Sequence, residues 1–225
     1  MKNTKTALLL CALFLLCLRL EAQVDKEGLS LKISNAEEAN HQKLKEYVWK
    51  RRSDVFVENQ LKLTTITEFS YTPDGKLETN IVDAETTVKK KPGIRGKVQA
   101  NAAEDKIEYI EKALALAIDY AFMTKGELLD FFSTATVTQK NGQIEAVADD
   151  VHVKGDRLLV RVDPDTHLFT YKEFTSLLGQ DKVEGKLNYE KFNNGTSHLS
   201  TTALNMSAEK MNIDAKNQDY TIRVK

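Results

Sequence analysis

Cysteine is almost missing: the 225 residues contain two, Cys11 and Cys17, and both lie at the start of the chain. If the first 22 residues are removed on export, as argued below, none remains. Disulfides, zinc–thiolate sites and cysteine nucleophiles are then excluded. An excess of positive charge is also missing. Without Lys2, Lys5, Arg19 and Glu21, the 32 basic and 33 acidic residues become 29 and 32. A net charge near −3 leaves no electrostatic footprint for nucleic acid. No Gly-x-Ser-x-Gly elbow, His-Glu-x-x-His pair or phosphate-cradling glycine loop occurs, so no catalytic residue or cofactor is assigned.

One long apolar run is present, at the beginning. Lys2 and Lys5 precede an unbroken stretch from Ala7 to Leu18, and Arg19-Leu20-Glu21-Ala22-Gln23 follows. A dozen apolar residues suit a signal peptide and fall short of the ~20 a membrane-spanning helix needs. Ala22 is the small residue before the expected cut. Cys17 follows Leu16, which is too large for lipoprotein processing. The expected division is a signal peptide over 1–22 and one domain over 23–225, with a periplasmic or extracellular destination. No later run approaches membrane length. About 200 residues suffice to bury a core without disulfides, and a disulfide-free exported chain fits the bacterial periplasm.

The remaining pattern is mixed. Asn35, Glu37, Glu38 and the run Lys50-Arg51-Arg52 suggest a helix over Ala36–Arg52, capped and charged to suit its dipole. From Asp54 the period becomes two, through Val55, Val57, Leu61, Leu63, Ile66 and Phe69. Thr72-Pro73-Asp74-Gly75 then reads as a turn into a returning strand over Lys76–Val82. A second helix is expected over Ala102–Met123, with Ile107, Ile110, Leu114, Ile118 and Ala121 on one face, and a short one over Glu127–Ser133. The rest reads as a meander, with strands at Thr134–Gln139, Glu145–Val153, Arg157–Val162, Leu168–Phe174, Lys182–Phe192, His198–Met206, Glu209–Asp214 and Tyr220–Val224. Neither linker nor internal repeat interrupts it. The fold class is α+β: a long curved antiparallel sheet, a half-barrel, with two to three helices on one face.

Candidate sites follow from chemistry-bearing residues. Asp150 and His152, with Asp149 adjacent, would share one strand face, but no third metal ligand stands at recognisable spacing, and Asp163, Asp165 and His167 read as turn chemistry. Phe131, Phe132, Phe169, Tyr171, Phe174 and Tyr189 concentrate in the second half. They either fill the core or, on a strongly curved sheet, line a concave apolar pocket. Lys89, Lys90, Lys91 and Arg95 belong to a basic loop over Lys89–Lys97, which is either solvated or touches lipid head groups or a partner.

The segments Glu46-Tyr47-Val48-Trp49-Lys50-Arg51-Arg52, Tyr71-Thr72-Pro73-Asp74-Gly75-Lys76 and Gly93-Ile94-Arg95-Gly96-Lys97 resemble a group of secreted bacterial proteins with no established function. The stretch from Leu199 to Tyr220 is also similar. In element order the chain resembles the periplasmic lipoprotein-carrier (LolA-like) fold. That resemblance implies a non-enzymatic binding protein for a lipid or lipoprotein acyl chain held in a half-barrel. The alternative is an envelope protein–protein interaction module that docks through its sheet edge or basic loop.

Overall fold

The computed structural model describes residues 25–86, 94–140 and 142–223. Three helices are formed among them: α1 (Lys26–Leu44), α2 (Ile94–Ala121) and α3 (Lys125–Thr134). The strands are β1 (Tyr47–Val57), β2 (Gln60–Tyr71), β3 (Leu77–Thr86), β4 (Thr136–Lys140), β5 (Gln143–Asp149), β6 (Arg157–Val162), β7 (Phe169–Leu178), β8 (Asp181–Lys191), β9 (Ser197–Met206) and β10 (Met211–Ile222). All pair antiparallel in one open, curved sheet of order β3-β2-β1-β10-β9-β8-β7-β6-β5-β4. The expected α+β half-barrel is therefore present. Every connection within it joins sequence neighbours except the pairing of β10 with β1.

The inner face of the sheet and the helices share one core. Val55, Leu158, Val160, Phe174, Val183, Leu187, Leu204, Met206, Met211 and Ile213 line the sheet side. From α2, Ile110, Ala113, Ala117 and Tyr120 meet them. The two alanines let the helix backbone approach the sheet closely, which rotates the buried face away from the expected stripe and leaves Ile107 exposed. Leu128, Phe131 and Phe132 of α3 complete this core. Thr124 and Glu127 form a reciprocal capping box at the start of α3.

The expected helix over Ala36–Arg52 is corrected in both directions. It begins ten residues earlier, where the side chain of Asp25 accepts from the Gly28 N–H, and ends at Leu44. Tyr47, Trp49, Arg51, Ser53 and Val55 alternate inward on β1. Arg51 sits on that inner face at 2% exposure, donating from Nε to Asn217 Oδ1 at 3.0 Å with its guanidinium 4.5 Å over the Phe69 ring. The charge run that suggested a helix end is thus one buried arginine between two outward residues. Two further corrections concern strands. The strands expected over Glu209–Asp214 and Tyr220–Val224 are replaced by a single strand, β10, over Met211–Ile222, and Val224 lies outside the described residues. The strand expected over Glu145–Val153 stops at Asp149, because Asp150 takes a positive φ of 57°.

A second cluster fills one end of the inner face with Leu44, Tyr47, Trp49, Phe69 and Tyr71, joined by Phe192 and Tyr220. Trp49 stacks between Phe69 and Tyr220, at 5.4 and 5.6 Å between centroids. At the sheet's end, β3 is exposed along nearly its whole length, including Ile81 at 56% and Val82 at 46%.

Candidate functional site

Where α1 crosses the sheet, its packing is largely polar. Its buried positions are Ser30, Ile33, Ser34, Asn40 and Leu44. Two side chains fasten it to the starts of two strands. Asn40 donates to the Ser197 carbonyl at 2.9 Å and accepts from the Ser197 N–H at 2.7 Å. Glu37 accepts from the Phe169 N–H at 2.6 Å. Exposed contacts to α3 add Lys125 to Asn35 and Lys26 to the Ser133 carbonyl.

Beneath α1 lies Lys172, an inward-facing residue of β7 at 1% exposure. Its ammonium donates to the carbonyls of Tyr120 and Ala121 at 2.9 and 3.1 Å, satisfying two orphan acceptors at the C-terminal end of α2. It also stands 4.1 Å from the centre of the Phe169 ring and 5.7 Å from that of Tyr189. The Tyr189 hydroxyl donates to the Ala121 carbonyl at 3.0 Å.

Burial dominates the electrostatics. It pushes the Glu37 carboxyl up to about 7, against the pull of Lys172 and the Phe169 N–H. It brings Lys172 down to about 8, with Glu37 and Glu127 acting in the opposite direction. His41 and His198 are both lowered, again first by burial. A cavity of about 120 Å³ runs among these groups, lined by Glu37, Asn40, His41, Phe169, Lys172, Tyr189 and His198 together with the aliphatic carbons of Leu44, Leu128 and Leu199. Small-molecule sites usually enclose about 300–1,000 Å³. With α1 seated, this space admits a head group or the end of a chain and no more.

The six aromatic candidates separate into three groups. Phe169 and Tyr189 line the cavity. Phe131, Phe132 and Phe174 are core residues: the first two meet edge-on at 5.0 Å, and Phe174 stacks on Tyr120 at 4.1 Å. Tyr171 alternates onto the outer face of the sheet, under the Arg161 guanidinium at 4.9 Å, and donates to Glu173 at 2.7 Å. Lys89, Lys90 and Lys91 lie outside the described residues, and Arg95 falls in the first turn of α2.

The Asp150/His152 loop is a structural knot. The carboxylate of Asp156, 1% exposed, accepts from the Tyr120 hydroxyl and from the backbone N–H groups of Val151, His152 and Val153. Burial alone would raise its pKa, but those donors outweigh it and hold the carboxyl below its usual range. Asp150 accepts from Gly155 and Asp149 pairs with Arg157. Among the described residues no cluster of three His, Cys, Asp or Glu is placed to hold a metal ion. Asp163 likewise serves its turn, accepting from Lys191 and from the N–H groups of Asp165 and Thr166.

Sequence reasoning missed Lys172, Glu37 and Asn40. Lys172 shares strand parity with Phe174, and a lysine on the apolar parity of a strand is the signal that could have found it.

No protein-family model matches the chain, and no curated protein sequence matches it. Among solved structures it is similar to a DUF1329 family protein from Desulfovibrio piger, with a TM-score of 0.44 and 10% identity over 89% of this chain and 95% of that one. It is similar to a putative outer membrane lipoprotein-sorting protein domain from Vibrio parahaemolyticus, with a TM-score of 0.41 and 11% identity over 86% and 92% of the two chains. A LolA superfamily protein from Nitrosomonas europaea has a TM-score of 0.33 and 9% identity over 84% and 94%.

Proposed function

We propose that this chain is an exported, non-enzymatic binding protein that holds an amphiphile, such as a lipid or an acyl chain, between α1 and the inner face of the sheet. The observation that carries this reading is the cavity at Phe169 and Tyr189 beside a helix that buries Ser30, Ser34 and Asn40 alongside two apolar residues, Ile33 and Leu44. A helix buried by leucines would resist displacement. One held by Asn40 and Glu37 exchanges a few hydrogen bonds for contact with a ligand or water. Movement of α1 would widen the cavity toward Leu199. The leader-like run from Ala7 to Leu18 supports export.

The test is native mass spectrometry of the protein purified from the bacterial periplasm, followed by lipid extraction. A stoichiometric acyl species is the expected result. A clean apo mass with an empty extract would sink the reading and favour the alternative, a docking module. One observation speaks for that alternative: β3, the end strand of the sheet among the described residues, is long and exposes Ile81 and Val82, which suits strand addition.

A further inference from the structure

We infer that Lys172 and the Phe169 N–H together form a receptor for the carboxylate head of an aliphatic acid, and that Glu37 is an internal stand-in for that head. The inference rests on the carrier reading and goes beyond it by naming the head group.

A charged ammonium at 1% exposure requires compensation. Its direct partners are two carbonyls and two aromatic rings, all formally neutral, so the compensating charge must come from elsewhere. Glu37 and Glu127 act on it from α1 and α3, and Glu37, on a helix that buries only two apolar residues, Ile33 and Leu44, does so across the cavity. The same carboxylate satisfies the Phe169 N–H, which is turned off the strand ladder at the first residue of β7. Cation, N–H donor and apolar rings thus line one cavity from β7 and β8, and α1 contributes a carboxylate that accepts from the N–H and acts on the ammonium across the cavity.

A free carboxylic acid reproduces that anion. Its head would take the Phe169 N–H and face Lys172, and its alkyl chain would follow Phe169 and Tyr189 toward Leu199. Above about pH 7, where Glu37 is ionised, the exchange conserves the charge inside the site, one ammonium against one carboxylate. Glu37 then leaves with α1 into water, where its ionised form is favoured. A neutral alcohol of equal chain length fills the same apolar space but leaves Lys172 uncompensated once Glu37 departs. Discrimination between acid and alcohol is the signature of the receptor.

The measurement is calorimetric titration of the protein with dodecanoate and with dodecanol, both below self-association. Dodecanoate is expected to bind at least tenfold more tightly. Lys172→Met should bring dodecanoate to the affinity of the alcohol while leaving the alcohol unchanged. Glu37→Gln, which keeps an acceptor for the Phe169 N–H but removes the competing charge, should strengthen dodecanoate severalfold and leave dodecanol as it was. Equal affinities for acid and alcohol overturn the receptor and leave the carrier reading standing. Binding of neither ligand overturns both. If Lys172→Met fails to fold, an unchanged dodecanoate affinity in Glu37→Gln is sufficient to reject the receptor.

Discussion

Phe174 lies against the backbone of Gly185, its partner on β8, so closely that a Cβ on Gly185 would stand 2.1 Å from the ring. The ring cannot retreat, because its other face stacks on Tyr120 at an interplanar angle of 9°. Tyr120 in turn is fixed through its hydroxyl on Asp156 and its carbonyl on Lys172. One glycine therefore sets the spacing between sheet and α2, and with it the floor of the proposed site.

Gly185→Ala tests this directly. In an unconstrained strand the exchange would stabilise by ~0.5–1 kcal/mol through the unfolded chain. Here overpacking should dominate and destabilise by about 1–3 kcal/mol, read from urea unfolding. Phe174→Leu in the same background should recover part of the loss. A stabilised single variant would show that the ring has room.

A pH dependence follows from Glu37. Its folded pKa of about 7 lies above the ordinary 4.5, so the folded state holds this proton more tightly than the unfolded chain does. Its contribution is present in full below about 4.5 and is lost as pH rises through 7. The charged and titratable groups lining its cavity are Glu38 and His41 on α1, Lys125 on α3, Lys172 on β7, Tyr189 on β8 and His198 on β9. Lys172, lowered to about 8, acts with the opposite sign only toward alkaline pH. The stability difference between wild type and Glu37→Gln should accordingly shift in favour of the variant by on the order of 2 kcal/mol between pH 5 and 7. A difference that does not change with pH would reject the buried carboxyl.

Asn40→Ala removes both halves of the clamp on Ser197. The buried backbone groups left unpaired should lower stability by about 2–3 kcal/mol. The more telling readout is local: amide exchange should accelerate in α1 well before it does in α2 or β9. Uniform acceleration across the chain would mean that α1 does not open separately.

Asp156→Asn keeps the size but exchanges a charged acceptor for an amide. With three backbone donors and the Tyr120 hydroxyl converging on it, a loss of about 2–4 kcal/mol is expected in thermal unfolding. Asp150→Asn, on the same loop but more exposed, should stay below ~1 kcal/mol. Comparable effects would place the loop's anchor at the wrong residue.

The sheet was legible wherever the inner face is apolar. Arg157–Val162 needed no adjustment, and the turn at Pro73-Asp74-Gly75 is closed by Thr72 and Lys76 as its composition suggests. Legibility failed where polar side chains face inward. Arg51 and Lys172 sit at strand positions that alternation assigns to apolar residues, and each survives there through partners far away in sequence. Periodicity cannot anticipate such partners. For the same reason the start of α1 was invisible: a helix that buries Ser30, Ser34 and Asn40 presents no hydrophobic stripe. Of the six aromatic candidates, Phe131, Phe132 and Phe174 are core residues, Phe169 and Tyr189 line the cavity, and Tyr171 lies on the outer face. Only the strand phase, altered by the irregularity between Arg161 and Val162, decides that Phe169 faces in and Tyr171 faces out.

The pairing of β10 with β1 has a kinetic meaning. Tyr47 meets Ile222, so the seam in the middle of the sheet joins residues from nearly opposite ends of the described chain. Until that seam closes, β3-β2-β1 and β4 to β10 are two separate ribbons, each with a naked edge where the other belongs. Closure of so large a loop makes folding slow, and both edges stay open to intermolecular pairing in the meantime. A chain interrupted before Met211 would retain two well-formed ribbons and lose the strand that stitches them, making aggregation, more than simple unfolding, its characteristic failure.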